Sequence, residues 1–232
     1  MPSGVSVRRR RRTADITIGT HVNRVKSNLT DSSAHSGRRW RWFGRGPSPR
    51  TIDILVVCSG NVCRSPFIAA LLAAKLPGLT IRSAGTAVVA GQPPDAEILR
   101  ALAERGCGQQ RTSSAQALTR GMVRSANLII TATRLHRGLT IALDNGAGGR
   151  AFTLKELARV AGANNPSSGF AATVNRAAQV AHIADVVDYD DDLDDPHGLD
   201  SPAYERMATE VDVALRVLVP ALAPEPSIPL AD

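Results

Sequence analysis

The segment V-V-C-S-G-N-V-C-R-S-P, residues 56–66, stands between an apolar run, I-D-I-L-V-V at 52–57, and an alanine- and leucine-rich stretch, P-F-I-A-A-L-L-A-A-K at 66–75. The run before it is continuous rather than alternating, as a strand covered on both faces requires. The stretch after it reads as a helix with Pro66 in its first turn, where a missing N–H is not needed for the helical ladder. A loop in that position turns successive backbone N–H groups and the positive end of a helix dipole toward one point, a socket for a dianion such as phosphate. Cys58 opens the loop and Arg64 ends it, a C-x5-R spacing. Converging N–H donors favour a thiolate over a thiol, and a planar guanidinium grips two oxygens of one phosphoryl group, a fork that lysine lacks. Ser65 is placed to donate to the sulfur, while Gly60 and Asn61 tolerate the positive φ that such a cradle often needs. Buried packing of Cys58 and Cys63 beside a surface arginine is the plainer alternative. A zinc site fits poorly, because no second Cys/His pair follows in the chain.

Outward from this loop, apolar runs alternate with helical patterns, the look of a parallel α/β sheet. L-T-I-R at 79–82 and A-N-L-I-I-T at 126–131 read as strands. D-A-E-I-L-R-A-L-A-E-R at 95–105 reads as a helix stopped by Gly106, and T-R-L-H-R-G-L-T-I-A-L at 133–143 as another. G-R-A-F-T-L-K-E-L-A-R at 149–159 is a short fourth strand feeding a helix, and 162–169 is a loop. Residues 189–198, Y-D-D-D-L-D-D-P-H-G, form an acidic loop before a last amphipathic helix at 202–219, with Val211, Leu215, Leu218 and Val219 on one side. His136 and His182 fall in helical patterns and read as surface or packing residues. Cys107, after Gly106, reads as filler.

Charge divides the 232 residues unevenly. The chain carries +7 overall, yet its first fifty residues hold 12 Arg and Lys against only Asp15 and Asp31, so the remainder is slightly acidic. A segment so charged and so poor in aliphatic runs buries too little apolar surface to offset its ordering entropy, and residues 1–50 are expected to be a disordered basic tail. Residues 51–222 then make one domain, followed by a Pro-rich tail at 223–232. R-R-W-R-W-F-G-R at 38–45 suits contact with an anionic surface; no specific nucleic-acid partner is expected. No apolar run approaches the roughly 20 residues of a membrane span, and the Arg8–Arg12 cluster precedes no apolar signal region. Three cysteines, an odd number, point to a reducing compartment and to chemistry rather than stapling, so a cytoplasmic location is expected.

The segment C-S-G-N-V-C-R-S-P resembles the signature of the low-molecular-weight protein tyrosine phosphatases. The resemblance continues in the family's order through S-A-G-T at 83–86, G-Q-P-P-D-A at 91–96, S-A-N-L-I-I at 125–130, T-R-L-H-R at 133–137 and D-P-H-G at 195–198, covering about residues 52–220. It implies a three-layer α/β fold, a four-stranded parallel sheet flanked by helices. It further implies Cys58 as nucleophile, Arg64 as phosphate clamp and Asp195 as general acid, with Asp194 the nearest rival. Ser59, Gly60, Asn61, Val62, Cys63 and Ser65 would hold the phosphate or support the loop, and Ser83 would pair with Asn61. Cys63 resembles the family's second cysteine, which pairs reversibly with the nucleophile on oxidation; inert packing is the other reading.

The implied reaction is phosphomonoester hydrolysis through a phosphocysteine, without cofactor or metal, on a phosphotyrosine protein, with a tyrosine kinase as counterpart. Several departures bear on substrate. A-V-V-A-G at 87–91 lacks the aromatic that many members place beside the substrate ring, His197 stands where a Tyr often follows D-P, S-S-A-Q at 113–116 replaces H-x-A-R, and Ala132 replaces a Met. Arsenate reduction on the same fold is the alternative, but it needs relay thiols just beyond the third strand, where T-A-T-R-L-H has none.

Overall fold

A computed structural model describes residues 51–110, 112–163, 169–184 and 190–223, with side chains given to residue 180 in the third stretch. All of them belong to the second of two compact units, Ser48–Asp232. The basic segment 1–50, the end 224–232, the side chain of His182 and the middle of the loop expected at 162–169 lie outside the described residues.

Four strands, β1 (Asp53–Cys58), β2 (Thr80–Gly85), β3 (Leu128–Thr131) and β4 (Ala151–Thr153), form one parallel sheet in the order β2-β1-β3-β4. The helices are α1 (Arg64–Lys75), α2 (Ala96–Glu104), α3 (Arg120–Ser125), α4 (Arg134–Leu143), α5 (Leu154–Gly162), α6 (Gly169–Ala184) and α7 (Ser201–Leu222). Residues Ile54 to Val57 are fully buried, which is why β1 reads as a continuous apolar run: both of its faces are covered. Leu55, Val57 and Ile129 pack with Val123 and Ala126 around α3, and with Ile141 of α4. The alternate residues Ile54, Val56, Leu128 and Ile130 face the opposite layer, where α1, α5 and the long α7 lie.

This order has a topological consequence. The chain passes from β1 outward to β2 and then back across the sheet to β3 on the other side of β1, and ligand crevices in open α/β sheets form at the carboxyl ends of the strands where the direction reverses. Cys58 is the last residue of β1, at that crevice.

Two elements were not expected from the sequence, α3 and α6, and one begins earlier than expected. Helix α1 starts at Arg64 rather than Pro66, with Cys63 as N-cap and no side chain capping it. Pro66 is still tolerated, because the first turn of a helix has N–H groups without intrahelical acceptors. Arg64 and Ser65 therefore stand in the uncapped first turn of α1, where the loop runs into the helix.

Gly85, at the end of β2, holds the neighbouring backbone against the loop. A Cβ at this position would overlap the Ser59 carbonyl oxygen and Val88 Cγ1, and would stand 3.0 Å from the Asn61 nitrogen. Gly85→Ala is expected to lower the unfolding free energy by about 1–3 kcal/mol and to disturb the loop. Urea melts and oxyanion binding measure the two effects; unchanged values for both would show that the contact is slack.

Candidate active site

The loop from Cys58 to Arg64 is pinned from outside by its carbonyls. Cys58 and Ser59 accept from the N–H groups of Thr86 and Ala87 at 3.0 Å each, Val62 accepts from Asp95 at 3.0 Å, and Cys63 from Phe67 at 3.2 Å. In a trans peptide the following N–H points opposite to the carbonyl. Anchoring these oxygens outward thus turns the N–H groups of Ser59, Gly60, Cys63 and Arg64 inward, toward the pocket that these residues line with Val62, Ala87, Val89, Gln92, Asp195 and His197.

Asn61 is the pivot. It is fully buried and alone among the described non-glycine residues at positive φ, 56°. Its side-chain nitrogen donates to Ser65 Oγ and to Ser83 Oγ, both at 2.9 Å, and its oxygen accepts from the Gln116 N–H at 3.1 Å. The structure thus brings Asn61 and Ser83 together. Gly60, by contrast, is not among the positive-φ residues, and a Cβ there would meet only Val62 Cγ2 at 3.4 Å, so its expected backbone freedom is not used.

Cys58 Sγ lies 3.0 Å from Ser65 Oγ. Because Asn61 donates to that hydroxyl, the serine proton is free to go to the sulfur or to the Ala84 carbonyl at 3.4 Å. A thiolate draws it to sulfur.

Arg64 is 4% exposed, a burial that calls for compensation of its charge. Its Nη1 donates to the Leu193 carbonyl at 3.2 Å, and Nη2 donates to Ser59 Oγ at 3.2 Å and pairs with Asp195. Its Nε is buried without a hydrogen-bond partner. One donor of the Nε/Nη2 edge is therefore unsatisfied, and the other is held by a carboxylate that itself is 45% exposed. A bidentate oxyanion on that edge would satisfy both donors.

The acidic run is laid out residue by residue. Leu193 N–H bonds the Ala132 carbonyl at 2.9 Å, tying the run to the end of β3. Asp191 pairs with Arg159 at 2.7 Å, and Asp192 accepts from the Arg134 N–H at 2.7 Å at the start of α4. The exposed Asp194 leaves Asp195 as the residue that reaches Arg64.

His136 is where the sequence reading fell short. It is 3% exposed, its Nε2 lies 2.9 Å from Ser59 Oγ and its Nδ1 2.7 Å from Thr133 Oγ1, so it buttresses the loop from the first turn of α4. Burial, reinforced by the Arg64 charge, lowers its pKa to about 4. The available signal was its position one turn past the carboxyl end of a core strand. Cys63 is buried beside Asp95; desolvation first, then that carboxylate, push its pKa up to about 12, so it remains a thiol at neutral pH. All three cysteines are free.

The pocket lies at the carboxyl edge of a parallel sheet and is lined by a thiol and a buried arginine. The family description "Low molecular weight phosphotyrosine protein phosphatase" matches residues 53–166. The chain is 35% identical over 104 residues, 44% of its own length and 69% of the relative's, to a protein-arginine-phosphatase of Geobacillus stearothermophilus. It is 43% identical over 77 residues to the probable low molecular weight protein-tyrosine-phosphatase EpsP of Ralstonia solanacearum, covering 33% of this chain and 52% of that one. The chain thus spans about half the length of EpsP. Among solved structures, the YwlE arginine phosphatase from Geobacillus stearothermophilus superposes with a TM-score of 0.55 at 25% identity, over 72% of this chain and 90% of that one. The chain belongs to the low molecular weight phosphotyrosine protein phosphatase family.

The depressed pKa of His136 has a sign. The unfolded chain protonates this ring near 6.5 and the folded chain only near 4, so the contribution is full above 6.5 and is lost as pH falls from 6.5 toward 4, by roughly 3 kcal/mol. His136→Gln keeps a partner for Ser59 without titrating. Urea melts at pH 7 and pH 4.5 should show a smaller acid loss of stability in the variant than in the wild type; equal losses would place the acid-sensitive group elsewhere.

Proposed function

We propose that the chain hydrolyses phosphomonoesters through a phosphocysteine intermediate, as a protein tyrosine phosphatase. The observation that carries this reading is the buried Arg64 with its unpartnered Nε, next to a Cys58 thiol that is hydrogen-bonded to Ser65. In this reading the phosphoryl group sits on the inward N–H groups and on the Arg64 fork. The Cys58 thiolate attacks phosphorus, an S–P bond forms as the P–O bond breaks, and Asp195 gives its proton to the departing oxygen. The Asp195 carboxylate then takes a proton from the water that attacks phosphorus, which releases inorganic phosphate and the thiolate.

The pairing of Asp195 with Arg64 fits this sequence. An arriving dianion competes for the same guanidinium, which frees the carboxyl group to meet the leaving oxygen. Ser59, Gly60, Val62, Cys63 and Ser65 act here as phosphate-loop residues, with Asn61 and Ser83 as its support. Charge on the phosphoryl group is met by N–H donors and Arg64, so no metal enters these steps.

Phosphotyrosine proteins are the proposed substrates, with a tyrosine kinase as counterpart. Ala87 and Val89 stand at the pocket rim with His197, and the substrate ring would lie among them. The resemblance to protein-arginine-phosphatases favours phosphoarginine as the second substrate to compare. Arsenate reduction is disfavoured: the chain's third cysteine, Cys107, is buried behind α2, with its thiol donating to the Arg105 carbonyl at 3.5 Å. Among the described residues no helix is long and apolar enough to cross a membrane. A thiol-dependent site operates in a reducing compartment, and the cytoplasm is the proposed location. Residues 51–222 are proposed to suffice for catalysis, with 1–50 serving contact with an anionic surface and 223–232 a tail.

The leaving group tests the acid. Asp195→Asn is expected to slow phosphotyrosine hydrolysis by about 10²- to 10⁴-fold, yet to slow far less the release of an aryl leaving group that needs no proton. Asp194→Asn should leave both reactions within a few-fold. A reversal of the two variants would assign the acid to Asp194, and equal slowing of both leaving groups by Asp195→Asn would make Asp195 a structural partner of Arg64.

A further inference from the structure

Cys63, Asp95 and His197 come from three separate parts of the chain and meet beside the pocket. Sγ of Cys63, a carboxylate oxygen of Asp95 and a ring nitrogen of His197 all lie within 4.8 Å of one another. His197 Nδ1 stands 3.6 Å from Cys63 Sγ and 3.4 Å from Asp95 Oδ2. The second distance is long for an N–H···O hydrogen bond. One ring nitrogen also has a single proton or a single lone pair, so it cannot bond both neighbours at once.

The two spacings that meet at His197 match edges of a tetrahedron of ligands around a small cation, and the third edge is within 4.8 Å. With bonds of about 2.3 Å to sulfur and about 2.0–2.2 Å to nitrogen and oxygen, tetrahedral angles put sulfur and nitrogen roughly 3.6 Å apart and nitrogen and oxygen roughly 3.4 Å apart. Thiolate, imidazole and carboxylate together suit Zn²⁺ rather than Mg²⁺ or Ca²⁺.

The ligands are also held from behind. Asp95 Oδ2 accepts from the Tyr204 hydroxyl at 2.8 Å, and Oδ1 accepts from the Glu97 N–H at 3.0 Å as the cap of α2. The backbone N–H of Asp95 bonds the Val62 carbonyl at 3.0 Å, which fixes it to the phosphate loop. Such outer contacts orient metal ligands. Cys63 is fixed as the N-cap of α1, whereas His197 is exposed and on a loop, able to close on an ion while water fills the fourth corner.

We propose that Cys63, Asp95 and His197 form a site for one Zn²⁺ ion, which straps the loop carrying Asp195 to the phosphate loop and arrests turnover. The Cys63 thiol gives its proton to solvent as the Zn–S bond forms. Arrest follows because His197 is two residues beyond Asp195 and its backbone N–H already bonds Asp195 Oδ1 at 3.3 Å, so a clamped His197 holds Asp195 away from the leaving group. The inhibitory half of this inference rests on the phosphatase reading; metal binding does not.

The test uses the full chain, reduced and freed of metal, titrated with Co²⁺ as a spectroscopic stand-in and then with Zn²⁺ in competition. The expected result is one equivalent of Co²⁺ with a thiolate-to-cobalt charge-transfer band, kept in Cys58→Ser, lost in Cys63→Ser, and reached in His197→Ala only at about tenfold or more higher concentration. Zn²⁺ should displace the cobalt and inhibit hydrolysis of a small aryl phosphate, reversibly by chelator, and inhibition of His197→Ala should need about tenfold more zinc. A band lost in Cys58→Ser but kept in His197→Ala would put the metal on the pocket thiol and overturn the site. Absence of stoichiometric binding would overturn it as well. Cobalt binding in the expected pattern by a chain that hydrolyses no phosphate would overturn the phosphatase reading and the arrest of turnover, while the metal site would stand.

Discussion

A buried asparagine in a left-handed backbone conformation governs this fold's active edge. Asn61 can hold φ of 56° because its own side chain replaces, with three hydrogen bonds, the contacts that the reversed backbone gives up. Those bonds reach Ser65 in the first turn of α1, Ser83 in β2 and the backbone of Gln116, so one residue ties the loop to a helix, a strand and a neighbouring segment. The bonds to Ser65 and Ser83 are buried, where leaving a polar group unpaired costs about 1–3 kcal/mol, while the bond from Gln116 is part-buried. The same asparagine donates to the serine that faces Cys58, which couples the shape of the loop to the charge on the sulfur.

Arg64 and Asp195 are the second constraint, and they depend on the first. The guanidinium is buried at the base of α1, and its charge is balanced by a carboxylate on a half-exposed loop. The Arg64 charge is buried although its partner is 45% exposed, so in the proposed reaction an incoming anion would replace the carboxylate as its counter-charge. His136 contributes by being neutral: with Ser59 between it and Arg64, a protonated ring would add a second positive charge to the same buried wall.

Much of this was legible in the chain, for identifiable reasons. Strand β1 is buried on both faces and so carries an unbroken apolar run, and α2 and α4 carry capping residues, Asp95 and Thr133, at their starts. Helix α6 gave little signal because it packs on α5 and α7 and draws on small residues, G-F-A-A-T-V-N-R-A-A-Q-V-A-H-I-A, without a strong apolar stripe. Helix α3 has only six residues, too few for a period to register. Cys58, Arg64 and Asn61 could be read because they are contiguous in one loop. The contributions of His136, Gln116, Asp95 and Tyr204 could not, since each reaches the site by tertiary contact between distant parts of the chain, as the separations of 77 for Ser59 with His136 and 55 for Gln116 with Asn61 illustrate.

The reaction proposed for this site phosphorylates the thiol at the end of β1 covalently during turnover. Rapid acid quench of the chain with an aryl phosphate, followed by peptide mapping under conditions that preserve thiophosphate esters, measures this directly. A phosphoryl group on the peptide containing Cys58, appearing with the first turnover and decaying with water, is the expected result. A phosphoryl group on Ser65 or His136, or steady hydrolysis with no covalent adduct at any quench time, would contradict the account.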